Sequence, residues 1–385
     1  MNLELGAILG LLIGTRSYTG EEKAIVEVIR TLMVERGFDE VFIDEAGNIV
    51  GGIHGIQPGK TILFDGHIDT VEAGNIQEWT RSPFEAWEKD GLLYGRGASD
   101  MKGAFGSMLL ALSRLDRSRL QGKVYLSGTV NEEVAEGYTI REVTHRLKPD
   151  LVVIGEATEL RLNIGQRGRG EIVLKVFGKS AHSSNPSIGI NAVLKMNEAI
   201  TAITKEYVAK EDVLGAGILV LTDILSDPYP GESVIPRLCT ATFDKRVLLS
   251  ETKEGILEDI AKILDGIKEK DREFRYELSY AENEFTTYAG MDIKGDKFYP
   301  PWRLDETDPL VCRIQKALQE VGLEASLSSY SFCTNGSSTC GIDEIPTIGF
   351  GPGREQEAHI TNEFISINSL EQAVRGYEAL AYIFS

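Results

Sequence analysis

The chain has 385 residues, a formal net charge of -19, 42% hydrophobic residues and 26% charged residues. This length exceeds what one compact core usually contains, so we expect two domains. The acidic charge excludes a polyanionic partner such as nucleic acid, because phosphate contacts need clusters of Lys and Arg. No stretch approaches the roughly 20 apolar residues that cross a bilayer, so we expect no membrane span.

The N-terminal segment and the cysteines indicate the cellular compartment of the protein. The apolar run at the N-terminus is short, contains Glu4 and lacks a basic leader, so we expect no signal peptide. The cysteines show no CxxC spacing, which is typical of reduced thiols in a cytoplasmic protein. They are Cys239, Cys312, Cys333 and Cys340.

The first clear element is a helix after Thr19-Gly20-Glu21-Glu22, which resembles a capping box, and Gly37 is its predicted end. Four short apolar runs then predict buried strands, and helical patterns such as 103–115 lie between several of them. The runs are residues 61–64, 124–130, 151–154 and 347–350. Strands that alternate with helices predict an α/β domain with a mixed, mostly parallel sheet covered on both faces.

Residues 166–285 have a different pattern. The order of strand-like and helix-like segments there is β-α-β-β-α-β, which is typical of a ferredoxin-like unit. The last strand of the larger sheet comes only after this segment. We therefore predict an inserted domain at 166–285, with residues 1–165 and 286–385 forming the other, discontinuous domain.

Polar side chains follow all four predicted strands of the larger sheet. They are His67 and Asp69, Glu132 and Glu133, Glu156 and, after a longer loop, His359. Ligands of open α/β sheets bind at the carboxyl ends of the strands, so we expect these side chains to converge on one site. Imidazole and carboxylate groups suit Zn²⁺, with Co²⁺ or Mn²⁺ as alternatives.

Two histidines with several carboxylates are the residues that a two-metal site needs. Asp100, within GRGASDMKG, is the predicted bridge, because the glycines around it let the backbone approach. We expect Asp69 to hold the ring of His67 by accepting its other N–H. Glu132 and Glu133 point opposite ways in an extended segment, so one can bind metal while the other takes a proton from a metal-activated water.

These residues lie in motifs that together resemble a known family, and the match spans nearly the whole chain. The motifs are GHIDT, GRGASDMKG, NEE, GEAT, GKSAHSSNPSIGINA, GFGPG and AHITNE. The chain resembles the zinc-dependent metallopeptidases and deacylases that include acetylornithine deacetylase, succinyl-diaminopimelate desuccinylase, aminoacylase-1 and carboxypeptidase G. Its CTNGSSTCG segment, followed by IPTIGFGPG, is similar to hydrolases linked to selenium metabolism.

The resemblance implies a zinc-aminopeptidase-like catalytic domain with an inserted lid that often also forms a homodimer. It implies two Zn²⁺ per chain, with Asp100 as the bridge and Glu132 as the general base. One ion would be held by His67 and Glu156, and the other by Glu133 and His359.

The same resemblance implies that His182, Arg246 and Asn335 contact substrate. His182 matches a lid histidine that polarises the scissile carbonyl, and Arg246 matches an arginine that holds a substrate carboxylate. Asn335 lies in Thr334-Asn335-Gly336, where the family more often has Gly-Thr-Asp, and Ser233 stands where many members have asparagine. These two departures lie in the expected substrate pocket.

The expected function is hydrolysis of amide bonds in N-acyl amino acids or in short peptides with a free carboxylate. Glu156 favours this reading, because in the family a glutamate there tends to accompany deacylases and carboxypeptidases. A dipeptidase or aminopeptidase is the nearest alternative, and a carbamoyl or ureido hydrolase is another. A metal-binding protein without catalysis would not need Glu132.

Overall fold

The computed structural model describes all 385 residues, which form two compact units. The first comprises Met1–Gln166, Glu284–Ile293 and Trp302–Ser385, and the second comprises Arg167–Asn283 and Lys294–Pro301. The sequence pattern did not indicate that Lys294–Pro301 returns to the second unit, since these residues follow the last strand expected there.

Nine α-helices lie along the chain. They are α1 (Leu3–Gly14), α2 (Lys23–Glu35), α3 (Lys102–Ser113), α4 (Ile140–Leu147), α5 (Ala192–Glu206), α6 (Lys253–Lys270), α7 (Pro309–Glu320), α8 (Gly336–Thr339) and α9 (Ile367–Ala381).

Twenty-one strands accompany them. They are β1 (Glu40–Ile43), β2 (Ile49–His54), β3 (Gln57–His67), β4 (Trp87–Lys89), β5 (Leu92–Tyr94), β6 (Gln121–Thr129), β7 (Leu151–Ile154), β8 (Leu162–Gln166), β9 (Gly168–Phe177), β10 (Glu211–Asp212), β11 (Gly215–Ala216), β12 (Ile218–Asp227), β13 (Leu238–Val247), β14 (Arg275–Tyr280), β15 (Glu282–Thr286), β16 (Asp292–Asp296), β17 (Phe298–Tyr299), β18 (Trp302–Arg303), β19 (Leu327–Tyr330), β20 (Thr347–Gly349) and β21 (Phe364–Ser366).

The main sheet of the first unit is mixed. Its strand order is β1-β2-β6-β3-β7-β20-β8-β18, and β19 also pairs with β8. The central strands β6, β3, β7 and β20 are parallel neighbours, whereas β1, β2 and β18 pair with their neighbours in antiparallel fashion. The predicted α/β class with a mixed sheet is therefore confirmed.

Helices cover both faces of this sheet. A large apolar core includes buried residues of α1, α2, α3, α7 and α9 together with residues of the central strands. A smaller cluster joins α4 to residues of β2, β3, β6 and β7. The central strands are buried on both sides along their apolar runs, which explains why these runs are continuous in the sequence.

The predicted helix after Thr19 exists, but its predicted cap is wrong. The helix α2 begins at Lys23, its N-cap is Glu22, and that cap makes no side-chain hydrogen bond to the helix. The Thr19 hydroxyl donates instead to Asp69, which is distant in sequence. Gly37 lies just after the helix with a φ of 73°, a conformation that suits glycine at a helix end.

The second unit is built on an antiparallel sheet with strand order β12-β13-β9-β14. Its elements follow the order β9-α5-β12-β13-α6-β14 along the chain, which is the ferredoxin-like arrangement. Buried apolar residues of both helices and of three of these strands form a separate core, which includes Ile172, Met196, Phe243 and Leu264.

No helix of the chain is both long enough and apolar enough to cross a membrane.

Candidate metal centre

The carboxyl ends of four neighbouring parallel strands bring the predicted site residues together. His67 is the last residue of β3, and Glu156 lies just after β7. Glu132 and Glu133 follow β6, and His359 lies in the loop after β20. Two groups have ligand atoms that all lie within 4.8 Å of one another: His67 with Asp100 and Glu133, and His67 with Glu132 and Glu156.

Asp100 lies between the two histidines. Its Oδ1 is 2.7 Å from Nε2 of His67, and its Oδ2 is 3.0 Å from Nε2 of His359. On the first side, Oε1 of Glu156 is 3.4 Å from Nε2 of His67. On the second side, Oε2 of Glu133 is 3.1 Å from Nε2 of His359. Each oxygen of Asp100 therefore faces one histidine–glutamate pair.

The ring of His67 is held in the orientation that metal binding needs. Nδ1 of His67 lies 2.9 Å from the main-chain oxygen of Asp69 and donates to it, so Nε2 is the ring nitrogen left to bind a metal. The carboxylate of Asp69 is 3.6 Å from the same nitrogen, too far for a hydrogen bond. Asp69 thus orients the ring through its carbonyl group, whereas the sequence suggested its side chain.

The carboxylate of Asp69 contacts the turn that carries the two glutamates. Its Oδ1 accepts from the main-chain N–H of Glu132 and its Oδ2 from that of Glu133, both at 3.2 Å. The hydroxyl of Thr19 donates to the same Oδ2 at 2.9 Å. Asp69 therefore joins the end of β3 to the segment after β6.

Glu132 has the environment of a base. Its side chain is buried, and its Oε1 has no hydrogen-bond partner. Burial raises the pKa of Glu132 well above its ordinary value, opposed by the positive charge of His67 and reinforced by Glu156 and other nearby carboxylates. A buried carboxyl group with one oxygen that has no hydrogen-bond partner is available for proton transfer.

The other charged groups influence one another strongly. Burial, followed by the charge of Asp100, raises the pKa of Glu156 to about 8. Hydrogen bonds to Asp100 and Glu133 raise the pKa of His359 to about 10. Burial opposes ionisation of Asp100, but His67 and His359 hold its pKa far below the usual range. Such crowding of carboxylates favours the binding of cations, and the set of nitrogen and oxygen donors fits two divalent ions.

Two buried charged residues beside the site were not assigned from the sequence. Lys102 donates to the carbonyl oxygens of Leu12 and Thr15 at the end of α1, and burial lowers its pKa to about 7. Glu363 accepts several hydrogen bonds from the segment that leads to Asp100. Lys102 lies inside the GRGASDMKG motif and Glu363 inside the AHITNE motif, and this membership is the signal that the sequence offered for them.

Asn335 is buried, and both its amide nitrogen and its amide oxygen hydrogen-bond to protein groups. Its Nδ2 donates to Oδ2 of Asp65 at 2.8 Å and to the hydroxyl of Thr129 at 3.0 Å. Its Oδ1 accepts from the N–H of Gly137 at 2.7 Å. Both N–H groups of this side chain are therefore used, and Oδ1 has a lone pair left for a further hydrogen bond.

His182 and Arg246 belong to the second unit. Nδ1 of His182 accepts from the N–H of Ser184 at 3.1 Å, so in the neutral ring the proton is on Nε2, where it can be donated. Arg246 lies on β13, and its Nε is 2.9 Å from Oδ1 of Asp244. Both side chains reach solvent.

Comparison with known proteins identifies the class of this chain. The model of peptidase family M20/M25/M40 matches residues 63–382. YgeY of Escherichia coli K12 is 33% identical over 351 residues, which cover 89% of this chain and 85% of YgeY. An acetylornithine deacetylase of Buchnera aphidicola is 29% identical over 323 residues, which cover 80% of this chain and 77% of that protein.

A solved structure agrees with the fold. Aminopeptidase PepT from Bacillus cereus superposes with a TM-score of 0.79 at 20% identity, covering 99% of this chain and 98% of PepT. The chain belongs to peptidase family M20/M25/M40 and is a metal-dependent hydrolase of amide bonds, as the sequence predicted.

Proposed function

We propose that this chain uses a two-metal centre to deacylate N-acyl amino acids or to cleave short peptides with a free carboxylate. The observation that carries the proposal is the placement of Asp100. Its two oxygens face two separate histidine–glutamate pairs, one with His67 and Glu156 and one with His359 and Glu133.

These residues would hold two Zn²⁺ ions, for which Co²⁺ or Mn²⁺ could substitute. When bound, the ions supply Lewis-acid activation of the scissile carbonyl and of the attacking water. Glu132, buried and with Oε1 free, would take a proton from that water and deliver it to the leaving nitrogen. The C–N bond breaks, the carbonyl carbon gains the oxygen of water, and the amine leaves with the proton.

Residues of the second unit are proposed to recognise the substrate. The family resemblance assigns the scissile carbonyl to His182 and a substrate carboxylate to Arg246, and the N–H at Nε2 of His182 suits that role. Glu156 and the likeness to an acetylornithine deacetylase favour an N-acyl amino acid over a dipeptide. Asn335 remains a candidate for the substrate pocket.

The test is a substrate panel with matched variants. Zinc- or cobalt-loaded protein is incubated with N-acetyl, N-succinyl and N-carbamoyl amino acids and with dipeptides, and newly released amine is measured. We expect release from acyl substrates, and Glu132→Gln should reduce the rate at least about 100-fold. Activity on dipeptides alone would contradict the deacylase proposal, and ammonia with carbon dioxide would indicate a ureido hydrolase.

Metal analysis of the same variants separates the roles of the two glutamates. Glu132→Gln should keep the metal content of the wild type, whereas Glu133→Gln and His359→Ala should lose metal. If Glu132→Gln loses its metal together with its activity, the assignment of base and ligand must be exchanged.

We also propose that the second unit forms a homodimer. Strand β12 lies at the edge of its sheet, where unpaired backbone groups and apolar side chains can pair with another strand. Its exposed apolar side chains are Ile218, Val220, Leu221, Ile224 and Leu225. Light scattering should give a dimer for the wild type and a monomer for Leu225→Lys, while Ile56→Lys, an exposed position in the first unit, should leave the mass unchanged. A monomeric wild type would refute the proposal.

The proposed compartment is the cytoplasm. Cys239, Cys312 and Cys340 form no disulfide, and Cys239 is buried. Reduced thiols are the ordinary state of cysteine in the cytoplasm.

A further inference from the structure

One buried carboxylate organises the segment that carries Asp100. Glu363 has no exposed surface. Its Oε1 accepts from the main-chain N–H of Ser99 at 2.8 Å and from that of Asp100 at 3.0 Å. Its Oε2 accepts from Nη1 of Arg96 at 2.7 Å and from the N–H of Gly97 at 3.1 Å. Four donors therefore converge on one side chain.

The main chain of Glu363 takes part as well. Its carbonyl oxygen accepts from the N–H of Gly95 at 3.0 Å. Residues 95–100 thus bend around Glu363, and the N–H of Asp100 itself is one of the groups that is held. The charge of Arg96 offsets the charge of the buried carboxylate, so the cost of burying Glu363 is reduced.

Glu363 also lies on the same loop as His359, which faces Asp100 at the second candidate metal position. It follows His359 by four residues, and β21 begins directly after it. Its hydrogen bonds therefore join the loop of His359 to the loop of Asp100. The side chains of these two residues approach to 3.0 Å at the candidate metal centre.

We infer that Glu363 is a positioning residue that fixes Asp100 and His359 relative to each other for metal binding, an inference that rests on the proposed two-metal site. Glu363 acts through main-chain N–H groups and does not touch the candidate ligand atoms. Hydrogen-bonding partners of metal ligands commonly change metal affinity by about 10- to 100-fold when they are altered.

The direct test is Glu363→Gln. Glutamine keeps the shape of the side chain, but its NH2 group replaces one carboxylate oxygen and so faces two of the four donors. At least two hydrogen bonds are therefore lost. Co²⁺ is titrated into the full-length variant and the wild type, and the visible absorption of bound Co²⁺ is recorded. We expect binding of the second ion to weaken about 10- to 100-fold, with an altered absorption spectrum.

A matched control separates positioning from general destabilisation. Glu251 in the second unit is also a buried carboxylate, and its Oε2 accepts from Lys245 at 2.7 Å and from the N–H of Leu248 at 3.0 Å. Glu251→Gln should lower the stability of the protein but leave the Co²⁺ affinity and spectrum unchanged. If both variants weaken Co²⁺ binding equally, Glu363 has no specific role.

A second variant covers the case in which Glu363→Gln does not fold. Glu363→Asp keeps the charge that pairs with Arg96 but shortens the reach toward Ser99 and Asp100. Folded Glu363→Asp that binds both ions like the wild type would overturn the inference, and weaker binding with an altered spectrum would support it. A wild type that binds fewer than two ions would instead refute the proposed two-metal function.

Discussion

Glu22 provides a test of how burial near the site affects stability. It precedes α2, and its side chain is fully buried. Its Oε1 accepts from the N–H groups of Gly20 at 2.8 Å and Asn131 at 3.2 Å, whereas Oε2 has no hydrogen-bond partner. Burial and then the charge of Asp69 raise the pKa of Glu22 from its ordinary value of 4.5 to about 7.

The direction of the effect follows from this raised pKa. An acid with a higher pKa in the folded state stabilises the fold at low pH, and this stability is lost as the pH rises through the folded-state pKa. A shift from 4.5 to about 7 corresponds to about 3.5 kcal/mol at alkaline pH, at about 1.4 kcal/mol per pKa unit. About 2 kcal/mol of this stability is lost as the pH rises from roughly 5 to 8.

Glu22→Gln should remove this dependence, because glutamine keeps the acceptor for Gly20 and Asn131 but carries no charge. We therefore expect its free energy of unfolding, relative to the wild type, to increase by about 2 kcal/mol between roughly pH 5 and pH 8. Urea unfolding at both pH values, on samples with equal metal content, measures the difference.

The neighbouring Glu21 is the matched control. Its side chain is 56% exposed and pairs with Arg16 at 2.8 Å, so Glu21→Gln should change stability by less than about 1 kcal/mol, and equally at both pH values. An equal stability difference between Glu22→Gln and the wild type at both pH values would refute the reasoning. It would mean that the fold accommodates the charge of Glu22 without the cost expected from its burial.

Two further predictions concern a buried ion pair and the stability that bound metal adds. Lys245→Met should destabilise the protein by about 3–5 kcal/mol in urea unfolding, because it leaves the buried carboxylate of Glu251 without its cation. Adding Glu251→Leu to this variant should restore part of the loss, and a further decrease would contradict the pairing. Removal of metal by a chelator should lower the melting temperature, and Zn²⁺ at about 1,000 times its dissociation constant should restore about 4 kcal/mol. A melting temperature indifferent to metal would argue against metal bound by the folded state.

The central strands were predictable because their signal is local. The apolar run 151–154 coincides with β7, the run 61–64 lies within β3, and the run 124–130 lies within β6 except for its last residue. Parallel strands buried on both faces need continuous apolar sequence, and short runs of this kind are distinctive. The polar residues that follow these strands accordingly lie together at one edge of the sheet.

The partners of the buried polar side chains were not predictable from local sequence. Thr19 has the spacing of a helix cap, but its hydroxyl donates to Asp69 across the fold. Asp69 was expected to hold His67, yet its carboxylate contacts the N–H groups of Glu132 and Glu133. Such bonds join residues far apart in sequence, so no local periodicity or propensity specifies them.

These contacts suggest how the protein maintains a cluster of like charges. Carboxylates that lie close together repel one another, so their positions require forces that do not depend on the carboxylates themselves. Asp69 accepts from the main-chain N–H of Glu132, and Glu22 accepts from that of Asn131. Glu363 accepts from the main-chain N–H of Asp100. The main chain is thus held by a second set of buried carboxylates, and the side chains at the centre are left free to face the metal ions that the family requires. Substitutions in this outer set should therefore alter metal affinity before they alter the recognition of substrate.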